Sequence, residues 1–185
     1  MYVEFEVEEW VGVPPAKVYA MEDSDLDLAV LDILRDRLEG IYDPKLGVVI
    51  AVVEARVVGD GVILPISGDP NVYFPVRYKV LSFEPLIQEV VRGVVRDVRE
   101  QGLYVDLGPV DGFVFRGQIL DENLEMLPDR RGFRSTETGK VVEIGDVVRA
   151  RITQVSKPTT TNIKALRIGM TMRQPYLGKE EWFKR

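Results

Sequence analysis

The sequence predicts an α+β fold in two parts: a small α+β domain over residues 1–82, then an all-β barrel over residues 83–185. Three observations carry this. A single segment has the 3- and 4-residue apolar spacing of a helix, strand-period runs punctuated by glycine fill the second half, and a length of 185 residues suits two modest cores.

Tyr2 to Glu8 sets Val3, Phe5 and Val7 against Tyr2, Glu4, Glu6 and Glu8, the alternation of a strand with one buried face, and Val13-Pro14-Pro15 breaks it. Asp23-Ser24-Asp25 leads into an amphipathic helix over Leu26 to Glu39. Its apolar face is Leu26, Ala29, Val30, Ile33, Leu34 and Leu38, and Gly40 supplies the stop. Asp23, Asp25 and Asp27 imitate the start of an EF-hand loop, but Leu28 and Leu34 stand where such a loop needs Gly and Glu. Acids favoured by the helix dipole account for them instead.

Val48 to Val53 is a continuous, mostly β-branched apolar run and reads as a strand buried on both faces. Gly59-Asp60-Gly61 turns into a strand at Val62 to Ile66, and Gly68-Asp69-Pro70-Asn71 turns again. Val72 to Val80 then alternates, with Pro75 favouring an edge position. The order of the first part is therefore β-α-β-β-β.

Phe83-Glu84-Pro85 marks the boundary. Beyond it, Val90 to Val98, Leu103 to Leu107, Phe113 to Phe115, Val147 to Val155 and Ile163 to Met172 read as strands of a closed or nearly closed barrel. Leu120 to Gly145, between the third and fourth, is a long connection carrying Arg130, Arg131, Arg134 and Lys140. Connections of that length are usually functional or disordered.

Cysteine and histidine are both absent, which removes disulfides, Cys/His zinc sites, thiol nucleophiles and any imidazole base. No Gly-rich phosphate loop, dinucleotide fingerprint or Gly-x-Ser-x-Gly elbow occurs, and no carboxylates cluster as a metal nuclease requires. A protein that is not an enzyme, with no metal and no cofactor, is expected. The chain has no apolar run of about 18 residues to span a membrane. Its first residues also lack the features of a secretory signal, so a cytoplasmic address is expected.

The net charge of −6 is unevenly shared. Residues 1–85 hold 7 Lys and Arg against 16 acids, whereas residues 86–185 hold 17 against 14. Local potential, more than overall charge, decides where a phosphate backbone settles, so a polyanion would meet the second half.

Within that half, parity sets Leu103, Val105 and Leu107 inward and Tyr104 outward, and puts Phe113 and Phe115 on one shared face. Outward aromatics beside Arg116, Arg149 and Arg151 are what single-stranded RNA needs: flat surfaces for bases and cations for phosphates. The plainer alternatives are that the two Phe residues close the barrel and that the arginines are solvated surface charge.

The string from Gly93 to Gly108, followed by Asp111-Gly112-Phe113-Val114-Phe115 and by Val141 to Val148, resembles the S-one RNA-binding domain, a variant of the OB-fold. Gln101 stands where many such domains carry an aromatic, and Phe115-Arg116-Gly117 where they carry His-x-Ser. Modest and largely sequence-independent RNA binding is expected from these departures. Leu46 to Val52, Tyr78 to Val91 and Met170 to Lys179 extend the resemblance over the whole chain, to the stalk subunit of archaeal and eukaryotic RNA polymerases, called E-prime in archaea.

That resemblance implies a truncated RNP-like first domain that docks on the RNA polymerase core, with the turns Asp43 to Gly47 and Gly68 to Asn71 as candidate tips. It implies a heterodimer with a smaller polymerase polypeptide, called F, clamped along both domains, and a barrel that binds the emerging single-stranded transcript. A free-standing RNA-processing or translation factor built on the same barrel is the alternative, and an acid-only metal nuclease a third. Copurification with polymerase subunits separates the first two, and metal-dependent RNA cleavage would reveal the third.

Overall fold

The structure, a computed structural model, describes residues 1–18, 23–65 and 68–183, with residues 23–25 described by backbone alone. It divides into two compact units, Met1–Glu84 and Pro85–Arg185. Among the described residues no helix is long and apolar enough to cross a membrane.

In the first unit the chain runs β1 (Tyr2–Val13), a single turn α1 (Pro15–Val18), α2 (Asp23–Leu38), β2 (Tyr42–Asp43), β3 (Gly47–Val57), β4 (Val62–Ile63) and β5 (Val72–Phe83). The strands form an antiparallel sheet in the order β1-β5-β3-β2, with β4 also pairing β5. α2 covers one face, where Val30, Leu34 and Leu38 pack with Val11, Val52, Phe74, Val76 and Val80.

Pro75 does not lie on an edge, because β5 runs between β1 and β3. The Pro75 carbonyl accepts from Val58 N–H on the β3 side, and β3 ends at Val57. N–H and C=O of one strand residue point the same way, so the donor that proline lacks would face the gap between β3 and β4, where nothing needs it.

Nor is β3 buried on both faces: Val48 and Val49 are covered, but Val53 is exposed, since the sheet carries its helix on one side. β-Bulges at Val49/Ala51 and Val52/Glu54 interrupt its ladder with β5. Side chains of α2 and of the turn after it satisfy donors on β3, Glu39 accepting from Val52 N–H at 2.8 Å and Asp27 from Val57 N–H at 2.8 Å. Asp27 thus serves the sheet, while the side chains of Asp23 and Asp25 lie outside the described residues. The expected strand from Val62 to Ile66 is limited to Val62–Ile63, and Ile66 is likewise outside them.

The second unit contains β6 (Val90–Arg99), β7 (Gly102–Asp106), β8 (Asp111–Phe115), β9 (Leu124–Met126), β10 (Gly132–Ser135), β11 (Val141–Glu143), β12 (Val147–Ser156), β13 (Arg167–Thr171) and β14 (Gly178–Lys179). The order β13-β8-β7-β6-β12, with β12 also pairing β13, closes a barrel of five strands in which β8 and β13 are parallel. This is the OB arrangement expected from the sequence. Leu103, Val105, Val114, Val148, Ile152 and Met170 fill its interior.

Two glycines permit the closure. A Cβ on Gly93 would lie 2.5 Å from the Asp106 carbonyl oxygen, and one on Gly102 would collide with that of Val114. Ile163–Ala165, expected to open the last strand, is instead a 3-10 turn capped by the Asn162 side chain.

The long connection after β8 folds as well. β9, β10 and β11 make a small antiparallel sheet with Leu124, Phe133 and Val142 buried. Glu122 accepts from the Ser135 hydroxyl and, at 2.7 Å, from that of Thr138. The Ser135 bond and then the Thr138 bond hold the Glu122 carboxyl below its ordinary range. Strands of three and four residues leave too short a period to be read in sequence.

Leu34 is fully buried beneath the first sheet and Leu28 is exposed on the same helix. Leu34→Ala should therefore cost about 2 to 5 kcal/mol and Leu28→Ala less than about 0.5 kcal/mol in urea denaturation.

Candidate nucleic-acid interface

Strand pairing aligns one residue from each barrel strand in a single row: Asp97 on β6, Tyr104 on β7, Phe113 on β8, Gly169 on β13 and Gln154 on β12. Tyr104 and Phe113 face outward because Leu103, Val105 and Val114 face the core. Their ring centroids are 5.0 Å apart with planes inclined at 52°. The Phe residues therefore do not close the barrel, and they stand on its outer wall.

The Arg99 guanidinium lies 5.1 Å from the Tyr104 centroid, and its Nε donates to Asp97 at 3.0 Å. Strict alternation from Val91 and Val95 would turn Arg99 inward. A bulge between Val95 and Asp97 reverses the phase, burying Val98 and bringing Arg99 out beside the rings. The break was visible as apolar Val98 followed by Arg99, but alternation alone passes over it.

A cleft of about 460 Å³ opens beside the two rings, and Asp111, Gln154, Ser156 and Arg167 supply its polar edge. Arg167 is braced by donating to the Lys164 carbonyl at 2.6 Å. Asp111 is 3.4 Å from Arg96.

Phe115 lies two residues beyond Phe113 on the same strand face and is 56% exposed. Arg116 begins the 3-10 turn Arg116–Gln118, donates to the Leu124 carbonyl and lies 5.8 Å from the Phe133 centroid, so it anchors the small sheet. Arg149 and its cross-strand neighbour Arg92 both reach Glu180, at 3.4 Å and 2.7 Å. Arg151, between Val90 and Thr171 on adjacent strands, is half-buried, and its Nε has no hydrogen-bond partner among the described residues.

The structure thus joins Tyr104 to Phe113 and sets Phe115 along the same strand. It leaves Arg116, Arg149 and Arg151 away from the ring pair, and Arg99 and Arg167 are the cations at the rings and the cleft. Among the described residues no group of three acids is placed to hold a metal ion.

The S1 RNA binding domain family matches residues 84–163. The DNA-directed RNA polymerase subunit Rpo7 of Saccharolobus solfataricus is 34% identical over 182 residues, spanning 98% of this chain and 97% of its own length. This chain belongs to the Rpo7 family. The DNA-directed RNA polymerase II subunit RPB7 of Glycine max is 29% identical over 68% of this chain and 70% of its own. The apo form of Mycoplasma genitalium RNase R covers 45% of this chain at a TM-score of 0.37 and 19% identity, too slight a likeness to bear on function.

Charge in this Rpo7-family chain is largely spent internally. On the open face of the first sheet Lys79 pairs Glu54 at 2.8 Å and Arg77 lies between Glu6 and Glu8, so the acid excess goes uncompensated there. In the barrel the hydrogen bond from Arg92 is the largest influence holding the Glu180 carboxyl below its ordinary value of 4.5, with Arg149 adding to it.

A depressed carboxylate contributes stability that is present above its unfolded pKa and lost as pH falls through the lower, folded value. The stability difference between wild type and Glu180→Gln should therefore persist at pH 7 and close below about pH 4.5, as thermal melts across that range would record.

Proposed function

We propose that this chain is a non-catalytic stalk subunit of DNA-dependent RNA polymerase, docking on the core together with the smaller partner F and binding the emerging single-stranded transcript. The observation that carries the reading is alignment with a polymerase subunit through both units, over 98% of this chain. A free-standing RNA factor would require the barrel alone.

Docking falls to the first unit, read as a truncated RNP-like domain. Trp10, Val58 and Val62 are exposed at the end of the sheet where β5 begins, on its open face beside Pro75 and Tyr73. The turn from Gly68 to Asn71 adjoins them, stiffened by Asp69 accepting from Tyr73 Oη and from Asn71 N–H. The other candidate tip, Asp43 to Gly47, lies at the opposite end, against Phe83. An exposed apolar cluster of this kind favours the first end for the core. Leu86 and Ile87, exposed after the junction, with Val90 and Val94 on β6, offer the F polypeptide an apolar strip.

Deleting residues 1–80 should abolish incorporation into polymerase while leaving the barrel folded, as copurification and circular dichroism would show. The full chain should coelute with the F polypeptide on coexpression.

On the barrel, Tyr104, Phe113 and Phe115 stack on bases. Arg99 meets phosphate at the rings, and Arg149 and Arg151 extend the track, while Arg116, tied to Leu124, contributes less. Tyr104→Ala should weaken single-stranded RNA binding about 5- to 150-fold in fluorescence anisotropy. Arg99→Ala should instead reduce the slope of log affinity against log salt by about 0.7.

A further inference from the structure

Like charges directly opposite each other on paired strands are destabilising. Arg92 on β6 and Arg149 on β12 stand in that relation. The carboxylate of Glu180 offsets it. Arg92 Nε donates to Glu180 Oε1 at 2.7 Å and its Nη2 to Oε2 at 3.3 Å, while Arg149 Nε donates to Oε1 at 3.4 Å. The register of β14 carries Glu180 there, since Gly178 lies beside Arg149 and the 3-10 turn Glu180–Phe183 follows at once.

One carboxylate against two guanidinium groups leaves a positive charge over. The acid also lies beneath the two bases: the Glu180 side chain is 18% exposed, against 66% for Arg92 and 50% for Arg149. Nη1 of Arg92 and both Nη atoms of Arg149 donate to no described residue, so these donors are open to solvent. Lys179 does not share the site. Its cross-strand partner Val148 is buried in the barrel, so Lys179 turns to the other face, where Asp146 and Glu181 take it up at 2.8 Å and 3.0 Å.

We propose that Arg92 and Arg149, aligned by Glu180, form a site for the terminal phosphate at the 5′ end of an RNA strand. The inference rests on the RNA-binding reading above and adds a contact with the strand end to it. A phosphate inside a strand has two free oxygens and a single charge, whereas a terminal phosphate has three and a charge of about −1.5 to −2 at pH 7. Three unengaged guanidinium nitrogens meet three oxygens, and the planar fork of arginine matches phosphate geometry. Glu180 is a positioning residue here, holding both forks side by side.

Free nucleotides carry the same terminal group. The strand is favoured because β6 borders β7, the strand that carries Tyr104. At about 3.3 Å per residue, Arg92 stands about 16 Å along β6 from Asp97, the residue opposite Tyr104, so a strand held by its end at Arg92 has the rings within reach of its following nucleotides.

The test uses the full chain and fluorescence anisotropy with one RNA sequence, labelled at its 3′ end and carrying either a 5′-phosphate or a 5′-hydroxyl. Wild type should prefer the phosphorylated strand by about 5-fold or more. Arg92→Met should abolish that preference while retaining binding to the hydroxyl strand, with the fold checked by thermal melting. Arg92→Lys and Arg149→Lys keep the charge over Glu180 but not the fork, and each should reduce the preference. Adenosine monophosphate equimolar with the RNA should not displace the phosphorylated strand, and displacement would assign the site to free nucleotides and overturn the assignment to a strand end. Equal wild-type affinity for the two strands, with Tyr104→Ala still weakening both, overturns the inference and leaves the stacking interface standing. A preference that survives Arg92→Met, or that both lysine variants leave intact, also overturns it. Failure of wild type to bind either strand overturns the RNA-binding reading and this inference together.

Discussion

Closure of the barrel is the constraint on which the second unit depends. β13 must pair β8 in parallel and β12 antiparallel, so five strands share one register and every residue is assigned to the interior or the wall. Val114, Ile152 and Met170 take the interior from three different strands. Tyr104, Phe113, Gly169 and Gln154 then necessarily share one outer row. A one-residue slip in any strand would exchange wall for core, which the burial of so many β-branched side chains opposes.

Alternation was the part of this arrangement legible in the sequence. Each wall position depends on its immediate neighbours being apolar, and Leu103 and Val105 around Tyr104 are enough to turn it outward. Cross-strand company was not legible, because the partners of Arg149 and Arg116 come from Glu180 and Leu124, in elements whose docking no local pattern encodes. Where the ladder has bulges, parity itself misleads. One bulge brought Arg99 to the rings, and two others unsettle the register of β3 with β5.

The misread position of Pro75 has the same origin. A proline lacks one donor on one side of its strand, which restricts that side alone and only as far as a neighbour continues. β5 can be central because β3 stops at Val57 and β4 starts again at Val62. That interruption also leaves Val58 and Val62 uncovered near Trp10. The accommodation of Pro75 and the exposed apolar end of the first sheet are thus two consequences of one break in strand pairing.

Charge follows a different logic in the two units. In the first, Lys79 and Arg77 stand opposite acids across strands and are taken up by them, so the surplus left on the sheet's open face is acidic. In the barrel Arg92 and Arg149 share a single carboxylate, and two guanidinium groups on one glutamate leave a net positive pair on the wall. An exposed pair of this kind contributes little to stability but retains its field at short range, within about a Debye length of 8 Å at physiological salt. The pair lies on β6 and β12, and β6 is also the neighbour of the strand that carries Tyr104. Positive charge in the second unit is thus concentrated where two guanidinium groups share one acid, in keeping with the uneven split of charge along the chain.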